Sequence, residues 1–179
     1  MGGSVLSEHV PFTGGKSGKM IKKWISGYTN SILESKEEHR MEFTPYIRFN
    51  GSCREAVEFY AKAFGAEPPK FLTFGESGEN PAWPMPEEAK KLIMHAEITV
   101  KGKKLMFSDT FPGMPYEQGN HITIALMPED EETARKIFGY LKEGGKAEME
   151  LSETAWSSCF GMVTDRYGIG WQINVLREH

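Results

Sequence analysis

Cysteine is scarce in this sequence, and its two residues, Cys53 and Cys159, lie in opposite halves of the chain. Neither has a second cysteine at the short spacing that is typical of zinc sites. Two cysteines also cannot form the disulfide framework of a small secreted protein. One bridge between them is an alternative, but a reduced pair in a cytoplasmic protein is the simpler interpretation.

Long apolar runs and an excess of positive charge are also missing. No stretch approaches the roughly 20 apolar residues that span a bilayer, and the N-terminus lacks the apolar core of a signal peptide. The formal net charge is -4, whereas dedicated nucleic-acid-binding domains are basic. We therefore expect no transmembrane segment and no nucleic-acid partner.

The first 40 residues differ in composition from the rest. They hold six Lys and Arg against four Glu, a formal +2, so residues 41–179 carry -6. Early glycines predict a flexible stretch, and the apolar spacing around Trp24, Ile25 and Tyr28 predicts one amphipathic helix. We interpret 1–40 as an N-terminal extension to a domain over 41–179. The helix either docks on its own domain, belongs to a non-native leader, or contacts a membrane surface or partner.

Within 41–179 the same order of elements occurs twice, a strand followed by a helix and three strands. In the first helix Ser52 and Glu55 have the spacing of a capping box, and Gly65 ends the helix. The second helix opens in the acidic turn 128–130. The predicted strands are Phe43–Asn50, Lys70–Phe74, Ile93–Val100, Lys104–Asp109, His121–Met127, Ala147–Leu151, Cys159–Thr164 and Trp171–Leu176. This repeat predicts an α+β fold of two packed βαβββ modules, about 43–109 and 120–176.

Several short stretches carry a resemblance to a known family. They are FNGSCREA at 49–56, IMHAE at 93–97, SD and FPG within 108–113, FGM at 160–162, TDRYG at 164–168 and WQIN at 171–174. In this order they resemble the PhnB-like branch of the vicinal oxygen chelate superfamily, which holds glyoxalases, bleomycin resistance proteins and dioxygenases. The resemblance implies paired modules whose mixed sheets curl around a ligand-binding cavity, with the helices outside, and it implies frequent homodimers. It implies no single reaction, because the superfamily hosts several.

Some PhnB-like sequences carry the label demethylubiquinone methyltransferase. A nucleotide-type methyl donor usually needs a Gly-rich turn between a strand and a helix. The segment GESG at 75–78 precedes a Pro-rich loop instead. We therefore do not expect this activity.

Alternation along each strand predicts which side chains face the cavity. In the strand 93–100, Ala96 and Ile98 belong to an apolar row, so His95 and Glu97 face the other way. The same reasoning on every strand gives a polar row, and if the sheet faces solvent this row is only a wet surface. The predicted row is Tyr46, Arg48, His95, Glu97, Ser108, His121, Thr123, Gln172 and Asn174.

Chemical roles follow from these positions. His95 and Glu97 form a candidate general acid–base pair in which Glu97 orients His95, or a polar pair that satisfies itself. Arg48 suits an anionic ligand group, or pairs with Glu97. The remaining predicted ligand-binding residues are Tyr46, Ser108, Thr123, Asn174 and, at the mouth of the pocket, Trp156.

The resemblance also implies a place for a metal. Metal enzymes of the superfamily use His and Glu on the first and last strands of each module, which leaves open positions for an oxygen-bearing substrate. The matching places here fall near Tyr46, Ser108, His121 or Thr123, and Gln172, with Asp109 adjacent. Only His121 is a strong ligand type, so His121 and Gln172 make a weak, degraded metal set.

We therefore expect a cytoplasmic homodimer that binds a small molecule, with no activity assigned and no cofactor firmly implied. The alternative is a divalent-metal-dependent lyase or dioxygenase that acts on a substrate with vicinal oxygens.

Overall fold

The computed structural model describes residues 43–78 and 85–177. The chain divides after Phe43 into two units, and the second unit, Thr44–His179, holds all the elements given below. The predicted extension over 1–40, with its helix, lies outside the described residues. Among the described helices, none has the length and apolar character needed to cross a membrane.

The first module builds a four-stranded mixed sheet. Its strands follow the order β1-β4-β3-β2, in which β1 runs parallel to β4 and the other neighbours are antiparallel. A short 3₁₀ turn over Ala89–Lys91 precedes β3. The elements are β1 (Tyr46–Phe49), α1 (Cys53–Phe64), β2 (Lys70–Thr73), β3 (Ile93–Val100) and β4 (Lys103–Asp109).

The second module repeats this topology. Its sheet has the order β5-β8-β7-β6, and β5 runs parallel to β8. The elements are β5 (Thr123–Leu126), α2 (Glu131–Lys142), β6 (Lys146–Ser152), β7 (Ser157–Thr164) and β8 (Gly170–Leu176). The predicted α+β fold of two βαβββ modules is confirmed, with two separate four-stranded sheets that do not close into one.

Strand alternation places one row of each sheet in the core. In β1, Ile47 and Phe49 are buried whereas Tyr46 and Arg48 are exposed, as the period of two predicts. In β8, Trp171, Ile173 and Val175 are buried while Gln172 and Asn174 are only partly so. We call the side of each sheet opposite its helix the open face.

One aromatic core joins the two modules. The ring of Tyr60, on α1, lies 5.7 Å from that of Phe107 in the first sheet and 5.4 Å from that of Trp171 in the second. Phe49 in β1 also contacts Tyr167 after β7, with ring centroids 5.9 Å apart. Tyr60, Phe107, Trp171 and Phe49 are fully buried, and burying such a side chain contributes roughly 1.5–3 kcal/mol over leaving it exposed. The open faces of both sheets consequently point away from this shared core.

The start of α1 differs from the prediction. Ser52 is the N-cap residue, but its side chain makes no capping hydrogen bond, so the predicted capping box with Glu55 is wrong. The carboxylate of Asp109, at the end of β4, instead accepts from the backbone N–H groups of Gly51 and Cys53 at 2.9 and 3.0 Å. The carboxylate of Asp109 therefore replaces the side chain of a local N-cap residue. Its negative charge also interacts favourably with the helix dipole at the N-terminus of α1.

The first strand of the second module is shorter than predicted. His121 and Ile122 are exposed and precede β5, which begins at Thr123. The reason lies in the partner strand, because Thr123 pairs with Gly170, where β8 begins. The alternation in the sequence therefore begins at His121, two residues before the first residue of β5 that has a partner in β8.

Candidate functional site

Tyr46 and His95 lie together on the open face of the first sheet. The hydroxyl oxygen of Tyr46 is 3.4 Å from Nδ1 of His95, and the ring centroids are 6.0 Å apart. Since β4 separates β1 from β3, the two side chains meet across that strand. Ser108 pairs in register with Arg48 and directly follows Phe107, whose partner Ala96 is the residue after His95. The structure thus gathers four of the predicted site residues on one patch.

Glu97 shares this open face but has a different partner. Nζ of Lys104 lies 3.2 Å from Oε2 of Glu97, and both side chains are partly exposed. Within the described residues no hydrogen bond joins Glu97 to His95 or to Arg48. His95 is therefore positioned by Tyr46 rather than by Glu97, and the exposed ion pair contributes at most about 1 kcal/mol.

Arg48 is exposed, and it makes no hydrogen bond or ion pair with any other residue in the described ranges. It borders a pocket of about 550 Å³ where β1 and β4 end. A guanidinium group offers five N–H donors in a planar fork that matches a carboxylate or phosphate. The geometry suits an anionic ligand group at this point.

The second sheet carries the other predicted ligand-binding positions. Nε2 of Gln172 donates to Oγ1 of Thr123 at 2.9 Å, across the β5–β8 pair. Oδ1 of Asn174 is buried and has no hydrogen-bond partner among the described residues. Trp156 is 60% exposed and packs edge-on against Phe160, with centroids 5.7 Å apart. These residues form a second polar and aromatic patch, on the open face of the other sheet.

The weak metal set does not assemble a site within one chain. No group of three or more His, Cys, Asp and Glu in the described parts of the chain is placed to hold a metal ion. Gln172 uses its amide nitrogen on Thr123, and the exposed His121 lies just outside β5, its ring folded back toward Gly119. One imidazole and one neutral amide do not fit a divalent cation, which needs more and stronger donors.

Asp109, which the sequence placed next to this set, has a structural role. In addition to the two N–H groups at the start of α1, its Oδ2 accepts from the backbone N–H of Ile93 at 2.9 Å. Three donors and 5% exposure tie the carboxylate to the frame of the first module. It is therefore not free to coordinate a metal.

The two thiols are buried and unpaired. Burial, with a smaller effect of the Asp109 charge, raises the pKa of Cys53 to about 12. Burial also raises the pKa of Cys159. Nucleophilic cysteines need a lowered pKa, so neither thiol suits covalent catalysis.

Sequence reasoning missed the hydroxyl of Thr110 and the aromatic pair Phe74 and Phe111. Oγ1 of Thr110 is buried without a partner, and the two rings lie 5.2 Å apart beside Arg48. The FPG stretch at 111–113 carries a signal for this aromatic wall, since it places Phe111 directly before a Pro-Gly turn. Thr110 gave no signal, because alternation ends with β4.

Comparison with known proteins places the chain in a family. The family model described as 3-demethylubiquinone-9 3-methyltransferase matches residues 41–174. Protein YjdN of Escherichia coli (strain K12) is 33% identical over 147 residues, which are 77% of this chain and 97% of that protein. The crystal structure of protein PA1353 from Pseudomonas aeruginosa matches with a TM-score of 0.68 and 36% sequence identity. The match covers 78% of this chain and 100% of that one.

A more distant structure shares the fold. The PhnB protein of Bacillus cereus, described as a putative 3-demethylubiquinone-9 3-methyltransferase, is 22% identical with a TM-score of 0.58, over 75% of this chain and 99% of that one. The glycines of 75–78 do not form the Gly-rich turn between a strand and an α-helix that a nucleotide-type methyl donor usually needs. Residues 74–77 form a turn after β2, and the next described element is the 3₁₀ turn Ala89–Lys91, so no described α-helix begins there.

The family model spans most of the domain, and the fold agrees with that of PA1353 at a TM-score of 0.68. The chain belongs to the family that this model describes, in agreement with the predicted resemblance to the PhnB-like branch of the vicinal oxygen chelate superfamily.

Proposed function

We propose that this protein binds a small molecule on the open face of the first sheet, with no reaction assigned. The single observation that carries the proposal is the patch of Tyr46, His95 and Ser108 with the unpaired Arg48 beside it. Polar groups that converge on a few points, next to aromatic surface, are the usual make-up of a ligand site. Tyr46 and Arg48 are exposed and His95 is partly exposed, so a ligand can reach this patch, whereas Ser108 is buried.

A second copy of the chain supplies the opposite wall in this proposal. The second sheet exposes apolar side chains, with Met149, Trp156 and Leu176 at 41, 60 and 59%. Leu176 follows the same alternation as Gln172 and Asn174, so it belongs to the open face. Exposed apolar groups gathered on one face mark an interaction surface. A homodimer would cover them and enclose the ligand patch.

Nuclear magnetic resonance tests the binding site directly. Amide shifts of the full ¹⁵N-labelled chain would be followed with a panel of small polar metabolites, both neutral and charged. Binders should shift Tyr46, His95 and Ser108, and Tyr46→Phe and His95→Gln should each weaken binding severalfold. Tyr140→Phe, an exposed tyrosine on α2, is the matched control. If no compound shifts this patch, or if the two variants bind as the parent does, the proposal fails.

The second candidate is a divalent-metal-dependent lyase or dioxygenase for a substrate with vicinal oxygens. The observation in its favour is that Nε2 of Gln172 donates to Thr123, which leaves Oε1 of Gln172 without a partner among the described residues. Since one chain supplies too few donors, this candidate requires further ligands from a second copy of the chain. Metal analysis of the purified protein separates the two candidates. Stoichiometric Ni, Zn, Mn or Fe that is lost in His121→Ala would establish the metal enzyme in place of the first proposal.

We place the protein in the cytoplasm in the same proposal, since both of its cysteines are unpaired and reducing compartments keep thiols so. Cell fractionation would test this location.

A further inference from the structure

We propose that the pocket at the ends of β1 and β4 binds the anionic end of an amphipathic molecule, a carboxylate or phosphonate on an aromatic or alkyl body. This inference rests on the proposed function and extends it by naming the ligand class. The pocket has a volume of about 550 Å³, and its lining residues are Arg48, Phe74, Asp109, Thr110, Phe111, Pro112, Gly113 and Met114.

The hydroxyl of Thr110 is the first argument. Thr110 is 5% exposed, and its Oγ1 has no hydrogen-bond partner among the described residues. Its backbone N–H donates to the carbonyl of Phe49 at 2.7 Å, so the residue is fixed in place. Buried hydroxyl groups are nearly always partnered, because an unmet one is costly. A ligand oxygen in the pocket would accept from this hydroxyl.

The charges at the pocket favour an anion. Arg48 brings a guanidinium that no described residue pairs with. Asp109 brings the opposing charge, but its two oxygens already accept from the N–H groups of Gly51, Cys53 and Ile93. The carboxylate is therefore compensated, whereas the guanidinium is not. Together Arg48 and Thr110 offer a cation and a neutral donor to one anionic group.

The opposite wall is apolar and rigid. Phe111 meets Phe74 edge-on at 5.2 Å. The turn Phe111-Pro112-Gly113-Met114 is closed by the N–H of Met114 donating to the carbonyl of Phe111, and Gly113 has a φ of 84°. Pro in the second and Gly in the third position are what a type II turn requires. This preformed wall suits the apolar body of a ligand.

Titration calorimetry and amide shifts of the full chain test the inference with phenylacetate and phenylphosphonate, against neutral phenylacetamide. Both anions should bind and shift Thr110, Phe111 and Gly113, and phenylacetamide should bind roughly tenfold more weakly. Arg48→Gln should weaken anion binding by roughly tenfold and Thr110→Val by about fivefold, while Thr110→Ser should keep it.

Arg135→Gln and Thr99→Val are the matched controls, since both residues are exposed and lie outside the pocket. Thermal unfolding would establish that each variant folds. Equal affinity for phenylacetate and phenylacetamide, or anion binding unchanged in Arg48→Gln, would overturn the inference. If neutral compounds shift Tyr46 and His95 while neither anion shifts Thr110, the inference fails and the proposed function stands. If nothing shifts either region, both fail.

Discussion

Asp165 is a buried carboxylate that ties α1 to the second module. Its Oδ2 accepts from the hydroxyl of Tyr60 and from Nε1 of Trp171, each at 2.7 Å. Its Oδ1 accepts from the backbone N–H groups of Tyr167 and Ile169. Burial, followed by the charge of Asp165, raises the pKa of Tyr60, so its hydroxyl stays a proton donor. The carboxylate of Asp165 is therefore the shared acceptor of four hydrogen bonds.

Asp165→Asn should lower the free energy of unfolding by about 3 kcal/mol, because an amide presents N–H groups to donors that need an acceptor. Tyr60→Phe removes one of the four bonds and should cost about 1.5 kcal/mol. Urea unfolding of both variants gives the comparison. A loss of under 1 kcal/mol in Asp165→Asn would contradict this reading of the network.

Cys53 links a single residue to the stability of the protein at high pH. Its pKa is raised by burial from 9.0 to about 12. Above pH 9 the unfolded chain loses this proton while the folded chain keeps it, so the folded state is destabilised as pH rises toward 12. One such group contributes a slope of about 1.4 kcal/mol per pH unit.

Cys53→Ala should flatten the decline in stability between pH 9 and 11 by about 1.4 kcal/mol per pH unit, even though the variant is less stable at pH 7. Val57→Ala, a buried change on the same helix with no titrating group, should shift the whole curve without altering its slope. Denaturant unfolding across this range makes the measurement. Parallel curves for the parent and Cys53→Ala would refute the prediction.

At the scale of elements, each helix has one glycine with a distinct role. One glycine ends α1, and the other lies in the interior of α2. Gly65 ends α1 with a φ of 64°, a left-handed conformation that costs side chains energy. Gly139 lies inside α2, where glycine is a poor helix former. A Cβ at either position would meet no atom within 4 Å, so packing does not enter the comparison.

The same substitution should therefore have opposite effects. Gly65→Ala should destabilise the protein by about 1 kcal/mol, and Gly139→Ala should stabilise it by roughly 0.5–1 kcal/mol. Thermal and urea unfolding would record both changes, and Gly65→Asn, which tolerates the left-handed region better, should fall between the parent and Gly65→Ala. Shifts of the same sign would contradict the assignment of these effects to the left-handed conformation of Gly65 and the helical conformation of Gly139.

At the scale of the whole molecule, the exposed apolar side chains of Met149, Trp156 and Leu176 on the second sheet predict self-association. Sedimentation velocity should find a dimer at micromolar concentration. Leu176→Lys and Met149→Lys should each raise the dissociation constant at least tenfold, because each puts a charge among side chains that the dimer would bury. Tyr140→Lys, on α2 and away from both open faces, should leave it unchanged. A monomer at all concentrations, with a normal unfolding transition, would exclude the homodimer.

The sequence by itself determined the elements of the domain and their repetition. Alternation fixed the buried row that contains Ile47 and Phe49, and Gly65 marked the end of α1, since both signals depend on residues close in the chain. The same parity correctly put Tyr46, Arg48 and His95 on one side of their strands. These are consequences of local geometry, which a pattern along one chain records.

Only the tertiary structure decided the partners of those residues. Asp109 caps α1 from 56 and 58 positions away, and Tyr46 meets His95 across a strand that lies between them. His121 falls outside β5 because β8 has no residue left to pair with it. The hydroxyl of Thr110, which has no hydrogen-bond partner among the described residues, lies where the segments of Arg48, Phe74 and residues 109–114 meet. Contacts of this kind depend on packing between distant segments, and no periodicity in the sequence encodes them.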